Sequence, residues 1–283
     1  MSAGPLRQGR LLLLGATDTG KTTLMTALAN RLVRNQPVAL VDADIGQSHI
    51  GPPTTVGWTV LDKAAKTGST RSPALEAGEW AARGIRFVGD ITPVGHLLQL
   101  TAALALCLEQ AEQTADVVLI DTPGLVAGGA ACSLWWTIQK LLRPQRIIAI
   151  QRENELADVL SGLQTELSTI RAVRTPPELR RKSLEVRQQH RRRLFEQYFR
   201  DSSTRKLDLA RVAVRATGRM TADDAGRLVG LTDARGQDLA IGVIERWPRR
   251  GNLATIRVPR LDIRRVRCLT IGDIKIDIPF RWS

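Results

Sequence analysis

Between Gly15 and Thr23 the chain reads Gly15-Ala16-Thr17-Asp18-Thr19-Gly20-Lys21-Thr22-Thr23, which satisfies the spacing G-x-x-x-x-G-K-[ST]. Two glycines let a backbone curl so that successive N–H groups point at phosphate oxygens, and a helix starting at Lys21 adds the positive end of its dipole. Lys21 has the reach for β- and γ-phosphates, and the Thr22 hydroxyl can join a Mg²⁺ shell. A nucleoside triphosphate, ATP or GTP, is the expected ligand. Downstream, Asp42 and Asp44 stand two residues apart at the end of an apolar run, so both carboxylates face the same way. One carboxylate can hold Mg²⁺ through water while the other accepts a proton from an attacking hydroxyl, the two tasks that phosphoryl transfer asks of a protein. Asp44 is the first metal candidate beside Thr22, and Asp42 the second.

These groups need a scaffold that brings them to one edge. Apolar runs at Arg10–Leu14, Val38–Asp42, Ile85–Gly89, Val117–Asp121 and Arg146–Ile150, with a weaker one at Ser168–Val173, read as strands. Helical spacing covers Lys21–Arg34, Pro93–Gln113 and Ala130–Leu142. Apolar strands alternating with helices predict an α/β fold, a parallel sheet covered on both faces. From Pro176 to Phe199 a glycine-free basic stretch reads as one long helix. Beyond it Leu239–Glu245, Leu253–Val258 and Ile271–Ile278 alternate with period two, a small β-rich C-terminal domain for which a barrel is one arrangement. The expected division is a P-loop domain over residues 1–204, with a lid at about 171–200, and a C-terminal domain over 205–283.

Charge is unevenly placed. Residues 1–170 hold 14 Lys/Arg against 15 Asp/Glu, residues 171–215 hold 14 against 5, and residues 216–283 hold 13 against 8. The +13 excess therefore lies on the basic stretch and the C-terminal part, as expected for a polyanionic partner, nucleic acid before membrane. A solvated basic face is the plainer alternative. Three scattered cysteines exclude a disulfide scaffold and a zinc ribbon. With no signal-peptide pattern and no apolar stretch near the roughly 20 residues a bilayer needs, a cytoplasmic location without membrane attachment is expected. Three histidines at unconnected spacings offer no transition-metal motif, and His49 and His96 read as structural. The segment Ile120-Asp121-Thr122-Pro123-Gly124 is similar to a GTPase switch, but no guanine-reading N-K-x-D exists in the sequence, and Ala16 stands where partitioning ATPases carry a second lysine.

Taken together, the text "GATDTGKTT" followed by "DADIGQSHIGPPTTVG" resembles the polynucleotide 5′-hydroxyl kinases, among them the RNA kinase subunit of the pre-mRNA cleavage complex, the ribosomal-RNA-processing kinases and their archaeal and bacterial relatives. "GDITPVGH" (residues 89–96) is similar to that family's substrate clasp, "IDTPGLVAGG" (120–129) to its T-x-G-W segment, and "RQQHRRRLFEQYF" (187–199) to its arginine-bearing lid. The resemblance implies ATP-dependent phosphorylation of the 5′-hydroxyl of single-stranded or end-frayed RNA or DNA, with Mg²⁺. It implies that Lys21 and Thr22 handle ATP and metal, that Asp44 activates the 5′-hydroxyl, and that Gln47, Thr92, Gly124 and Leu125 contact substrate. Arg187 and Arg191 would neutralise the transferring phosphoryl, and one helical turn places them on one face. Two departures stand out. Leu125 stands where the family's eukaryotic members carry a base-stacking tryptophan, so base contact there should be weaker or displaced. Only a few residues precede the first strand, so the extra N-terminal β-domain of eukaryotic members is not expected. A non-catalytic ATP-bound scaffold and a small-molecule kinase remain as rival readings, the second disfavoured by the size of the basic segment. Oligomeric state is open.

Overall fold

In the computed structural model, residues 8–62, 80–218, 224–248 and 250–277 are described. The first sheet contains β1 (Gly9–Gly15), β2 (Val38–Asp42), β3 (Thr55–Leu61), β4 (Gly84–Phe87), β5 (Val117–Asp121), β6 (Arg146–Gln151) and β7 (Thr169–Arg174). Their spatial order is β4-β3-β2-β5-β1-β6-β7. The five strands from β2 to β7 in that order are parallel, each neighbour reached by a crossover. Successive leucines of β1 alternate faces, and each face has its own core. Leu11 and Leu13 pack with Met25 and Ala29 of α1 (Lys21–Leu32). Leu12 and Leu14 pack with Leu104 of α2 (Leu97–Glu112) and with Trp135 of α3 (Gly128–Leu142). The core is fully enclosed, as a parallel sheet requires.

Two differences from the sequence reading have physical causes. Strand β3 was not expected, because its threonines and Gly57 break any continuous apolar run; it pairs antiparallel with β2 and with β4 and is buried almost throughout. The sheet is therefore parallel with an antiparallel edge. The basic helix does not begin at Pro176. A short α4 (Ala157–Ser161) precedes β7, and α5 spans only Leu184–Tyr198. Ser183 caps it by accepting the Val186 N–H, and the segment between β7 and Ser183 is irregular, as two consecutive prolines and an N-cap serine dictate.

The second sheet contains β8 (Ser203–Asp208), β9 (Ala213–Ala216), β10 (Arg227–Thr232), β11 (Asp238–Arg246), β12 (Leu253–Val258) and β13 (Cys268–Lys275) in the order β8-β12-β11-β10-β13-β9. Its end strands β8 and β9 do not pair with each other, so the sheet is open and no barrel closes. Ile278, the last residue of the expected third run, lies outside the described residues. One face holds its own core, while the other packs Phe195 and Phe199 of α5 and Ile85 and Phe87 of β4 against Leu228, Ile241 and Val243. Polar ties reinforce the seam. Arg86 donates to Gly236 O at 2.9 Å and to Gln237 Oε1 at 2.7 Å, and His96 Nε2 lies 3.0 Å from Asp273 Oδ2. The helix expected to act as lid thus has its C-terminal end fixed to the second sheet.

Candidate active site

The phosphate loop joins β1 to α1 at the C-terminal edge of the parallel strands, where open α/β sheets bind ligands. Gly20 adopts φ 96°, a left-handed conformation that glycine accepts without strain, and it turns the chain into α1. Lys21 is 5% exposed and its Nζ donates to Gly15 O at 2.9 Å and Ala16 O at 3.0 Å. The ammonium is thus held over the loop with a donor to spare. Thr22 Oγ1 donates to Asp121 Oδ2 at 2.5 Å. Asp18 carries φ 60°, and its carboxylate accepts from Lys182 N at 2.9 Å and from Arg187 Nη2 at 2.7 Å. The loop is closed from above by the segment that precedes α5.

The two aspartates of the β2 terminus have different jobs. Asp42 is fully buried and accepts the N–H groups of Asp44, His49 and Ile50, so it shapes the loop after β2. Its two oxygens are thus engaged by backbone N–H groups, and the carboxylate beside Thr22 is that of Asp121. Burial pushes the Asp42 carboxyl well above its ordinary range, with Asp121 adding repulsion, and burial also raises Asp121, opposed by Lys21. Asp44 Oδ1 accepts from Gly46 N at 3.3 Å and Gln47 N at 3.1 Å. Both bonds fall on one oxygen, and the other carries none of the bonds that shape the turn. The Thr22 hydroxyl and the carboxylates of Asp121 and Asp44 lie at one edge and make a donor set suited to a hard divalent cation.

Two cavities meet at this edge. The larger, about 540 Å³, is lined by residues 17–23, Asp44, Gln47, His49, residues 178–180, Lys182, His190 and Arg193. The smaller, about 250 Å³, is lined by Thr17, Asp44, Gly46, Gln47, Ile91, Thr92, Pro93, Pro123, Gly124, Leu125, Arg187 and Arg191. Thr17, Asp44 and Gln47 belong to both, so a group in one cavity can approach a group in the other across Asp44. Gly124 presses its backbone on Thr17; a Cβ there would stand 2.1 Å from Thr17 Oγ1 and 2.5 Å from Thr17 N, so the close approach leaves no room for a side chain. Gln47 Nε2 donates to Gly46 O at 2.7 Å while its buried Oε1 has no partner among the described residues. The same holds for Arg187 Nε and Arg152 Nη1, two buried N–H donors beside the phosphate loop. Unfilled guanidinium donors around a loop of backbone N–H groups suit a polyphosphate.

Of the residues singled out in the sequence, those at positions 17–23, Asp44, Gln47, Thr92, Gly124, Leu125, Arg187 and Arg191 all line one or both cavities, while Gly15 and Ala16 supply the carbonyls that hold Lys21 Nζ. Leu125 also packs against the main core, and its carbonyl accepts from Trp135 Nε1 at 2.7 Å, so it is a wall with limited freedom. Asp121 was not assigned a role from sequence, although an acidic residue closing a wholly apolar strand beside β1 is a usable signal. Arg152, whose guanidinium donates to Asp18 O, carried no signal. His190 of α5 was also missed: its ring stands 5.6 Å from that of His49 and its Nε2 lies 3.3 Å from Ser48 O. Burial lowers both imidazoles. Asp90, His96 and Asp273 come within ligand distance of one another, but Asp273 is committed to His96 and to Arg227 at 2.8 Å, a network that ties the loop after β4 to the second sheet. No described helix is long and apolar enough to cross a membrane.

Comparison with known proteins agrees with this layout. The chain is 31% identical over 219 residues to a polyribonucleotide 5′-hydroxyl-kinase of Pyrococcus furiosus, covering 77% of this chain and 58% of that one. It is 29% identical over 209 residues to a polyribonucleotide 5′-hydroxyl-kinase of Methanocaldococcus jannaschii, covering 74% and 55% respectively. The chain therefore spans little more than half the length of these relatives. Among solved structures, the wild-type Clp1p–Pcf11p complex aligns with a TM-score of 0.71 at 13% identity over 96% of this chain and 75% of that chain, a likeness of fold. The sequence model described as "mRNA cleavage and polyadenylation factor CLP1 P-loop" matches residues 15–201, which span both cavities and α5, and the chain belongs to that family.

Proposed function

We propose that this protein is an ATP-dependent polynucleotide 5′-hydroxyl kinase acting on single-stranded or end-frayed RNA or DNA. The observation that carries the reading is the pair of cavities that share Asp44. The larger suits a triphosphate: residues 17–23 cradle it, and Lys21, Arg180, Lys182 and Arg193 of its lining neutralise it. The smaller, walled by Thr92, Gly124 and Leu125, takes a hydroxyl-bearing strand end. Asp44 stands where the two meet and draws the proton from the 5′-hydroxyl as that oxygen attacks the γ-phosphate. Arg191 lines the acceptor cavity, and Arg187, latched on Asp18, stands one turn before it. Both guanidinium groups can meet charge spread over equatorial phosphoryl oxygens. Thr22, Asp121 and Asp44 would hold Mg²⁺, which when bound neutralises charge between β- and γ-phosphates. The three free cysteines are at home in the reducing cytoplasm, where we place the reaction.

The test is end labelling. γ-Labelled ATP is incubated with 5′-hydroxyl and 5′-phosphate RNA and DNA oligonucleotides, and label should appear on 5′-hydroxyl ends alone. Label on neither polymer, with intact triphosphate binding, would replace the kinase reading by a nucleotide-bound scaffold.

A further inference from the structure

Beyond the acceptor cavity a second void opens between α5 and β13, of about 520 Å³. Ile91 and Arg191 line both voids, so the groove begins where the acceptor cavity ends. Along α5, Glu185, Gln188, Arg192 and Phe195 recur at three- and four-residue intervals and form the stripe that faces the groove, next to the stripe carrying Arg187 and Arg191. Its chemistry is divided by height. Phe195 and Ile276 are buried, and Ile91 and Ile274 half-buried, so the floor is apolar. Gln188 and Gln189 bring two side-chain amides to the wall, and Arg192 and the exposed Lys275 bring cationic groups to the rim.

We infer that this groove receives the second nucleotide of the acceptor strand, an inference that rests on the kinase reading of the adjoining cavity. An apolar floor takes the face of a base without regard to its identity, while amides donate to and accept from base edges. A strand whose 5′-hydroxyl lies by Asp44 and whose next base lies on Ile274 and Phe195 must thread its first internucleotide phosphate past the side chain common to both voids. That side chain is Arg191, a forked donor suited to phosphate.

The experiment compares a 5′-hydroxyl nucleoside 3′-phosphate, a dinucleotide 3′-phosphate, and the same dinucleotide with an abasic second residue. The second nucleotide should raise kcat/KM about tenfold or more, as expected for one base held on a protein surface, and the abasic form should forfeit most of that gain. Gln188→Ala combined with Lys275→Ala should shrink the ratio of dinucleotide to mononucleotide kcat/KM severalfold, and Gln188→Ala alone should alter the ranking of the four bases at the second position. Equal kcat/KM for one and two nucleotides, or for normal and abasic dinucleotides, overturns the groove while leaving the kinase reading intact. A variant that lowers both substrates in proportion counts equally against it. Fluorescence anisotropy of a 3′-labelled trinucleotide, normal or abasic at its second position, gives a readout that needs no turnover. Weaker binding of the abasic strand without any phosphoryl transfer would uphold the groove and remove the kinase; equal binding would remove the groove.

Discussion

Arg187 Nη2 donates to Asp18 Oδ2 at 2.7 Å, joining α5 to a phosphate-loop residue held in a left-handed conformation. The side chains are 24% and 9% exposed, so water screens the pair only in part. The same carboxylate accepts the Lys182 N–H, which makes Asp18 a latch for the entire turn before α5. Asp18→Asn tolerates the positive φ but removes the charge. We expect a looser lid, with trypsin cutting at the arginines of α5 about fivefold faster, the loss of about 1 kcal/mol that a partly exposed pair supplies. ATP should bind as well or better, since a negative charge has left the phosphate site. Unchanged proteolysis would mean that the hydrophobic seam alone holds the lid.

Lys21 and Asp44 should separate binding from transfer. Lys21→Ala removes the buried ammonium and leaves the Gly15 and Ala16 carbonyls without their donor, so both ATP affinity and turnover should collapse. Asp44→Asn keeps an acceptor for the Gly46 and Gln47 N–H groups, so the turn survives. ATP should bind normally, and single-turnover transfer should fall by about 10²–10⁴, the range of a positioned general base. Parallel loss of ATP affinity and transfer in Asp44→Asn would assign that carboxylate to the metal alone.

Asp121→Asn tests whether function is held at a cost in stability. Burial and repulsion favour the neutral form of this carboxyl in the folded protein, so a neutral isostere should raise Tm in the absence of nucleotide and Mg²⁺, by at least about 2 °C. Its amide can still meet the Thr22 hydroxyl, which accepts as well as donates. Activity should fall, and the Mg²⁺ concentration for half-maximal rate should rise. A lower Tm would show that the ionised form is structurally required.

Most of the first sheet was legible because burial on both faces writes itself as unbroken apolar text: Val38–Asp42 and Val117–Asp121 begin and end as read. Strand β3 was not legible, since Thr55, Gly57 and Thr59 are buried for reasons of pairing and close backbone contact that a hydropathy pattern does not record. At the site, residue types at fixed spacing pointed to the phosphate loop and to Asp44. The division of labour between Asp42 and Asp121 depended on which carboxylate faced backbone N–H groups and which faced Thr22, a matter of geometry across the sheet. Arg152 and His190 act on the site from distant segments, and nothing local to either marks it.

The histidine pair should make lid closure acid-sensitive. His190 Nε2 donates to Ser48 O, and burial, with His49, Lys182 and Arg193 nearby, lowers its pKa below the free value. The undocked ring therefore binds a proton more readily than the docked one, so docking is at full strength above about pH 6.5 and weakens as pH falls below it. Trypsin susceptibility of α5 without nucleotide should rise between about pH 7 and 5.5. His190→Asn retains a donor for the Ser48 carbonyl without the titration, so its susceptibility should stay nearly flat. An identical acid response in His190→Asn would move the sensitivity elsewhere.

Charge-preserving changes in the lid distinguish a group that acts on the phosphoryl from one that only attracts the strand. Arg187→Lys and Arg191→Lys keep the positive charge, so long-range attraction and its salt dependence should persist. A lysine cannot offer two parallel N–H bonds to equatorial oxygens, and arginine donors to a transferring phosphoryl can supply about 10³–10⁵ in rate. Each mutant should therefore lose at least about tenfold in single-turnover transfer. Arg191→Lys should in addition raise the oligonucleotide KM, because Arg191 also lines the groove beyond the acceptor cavity, whereas Arg187 lines the acceptor cavity alone and is paired with Asp18. Arg181, exposed in the irregular segment before α5, is the internal control, and Arg181→Lys should be nearly silent. If all three mutants lose the same modest amount, the lid arginines contribute charge alone, and the stabilisation of the transferring phosphoryl falls to Lys21 and the loop N–H groups.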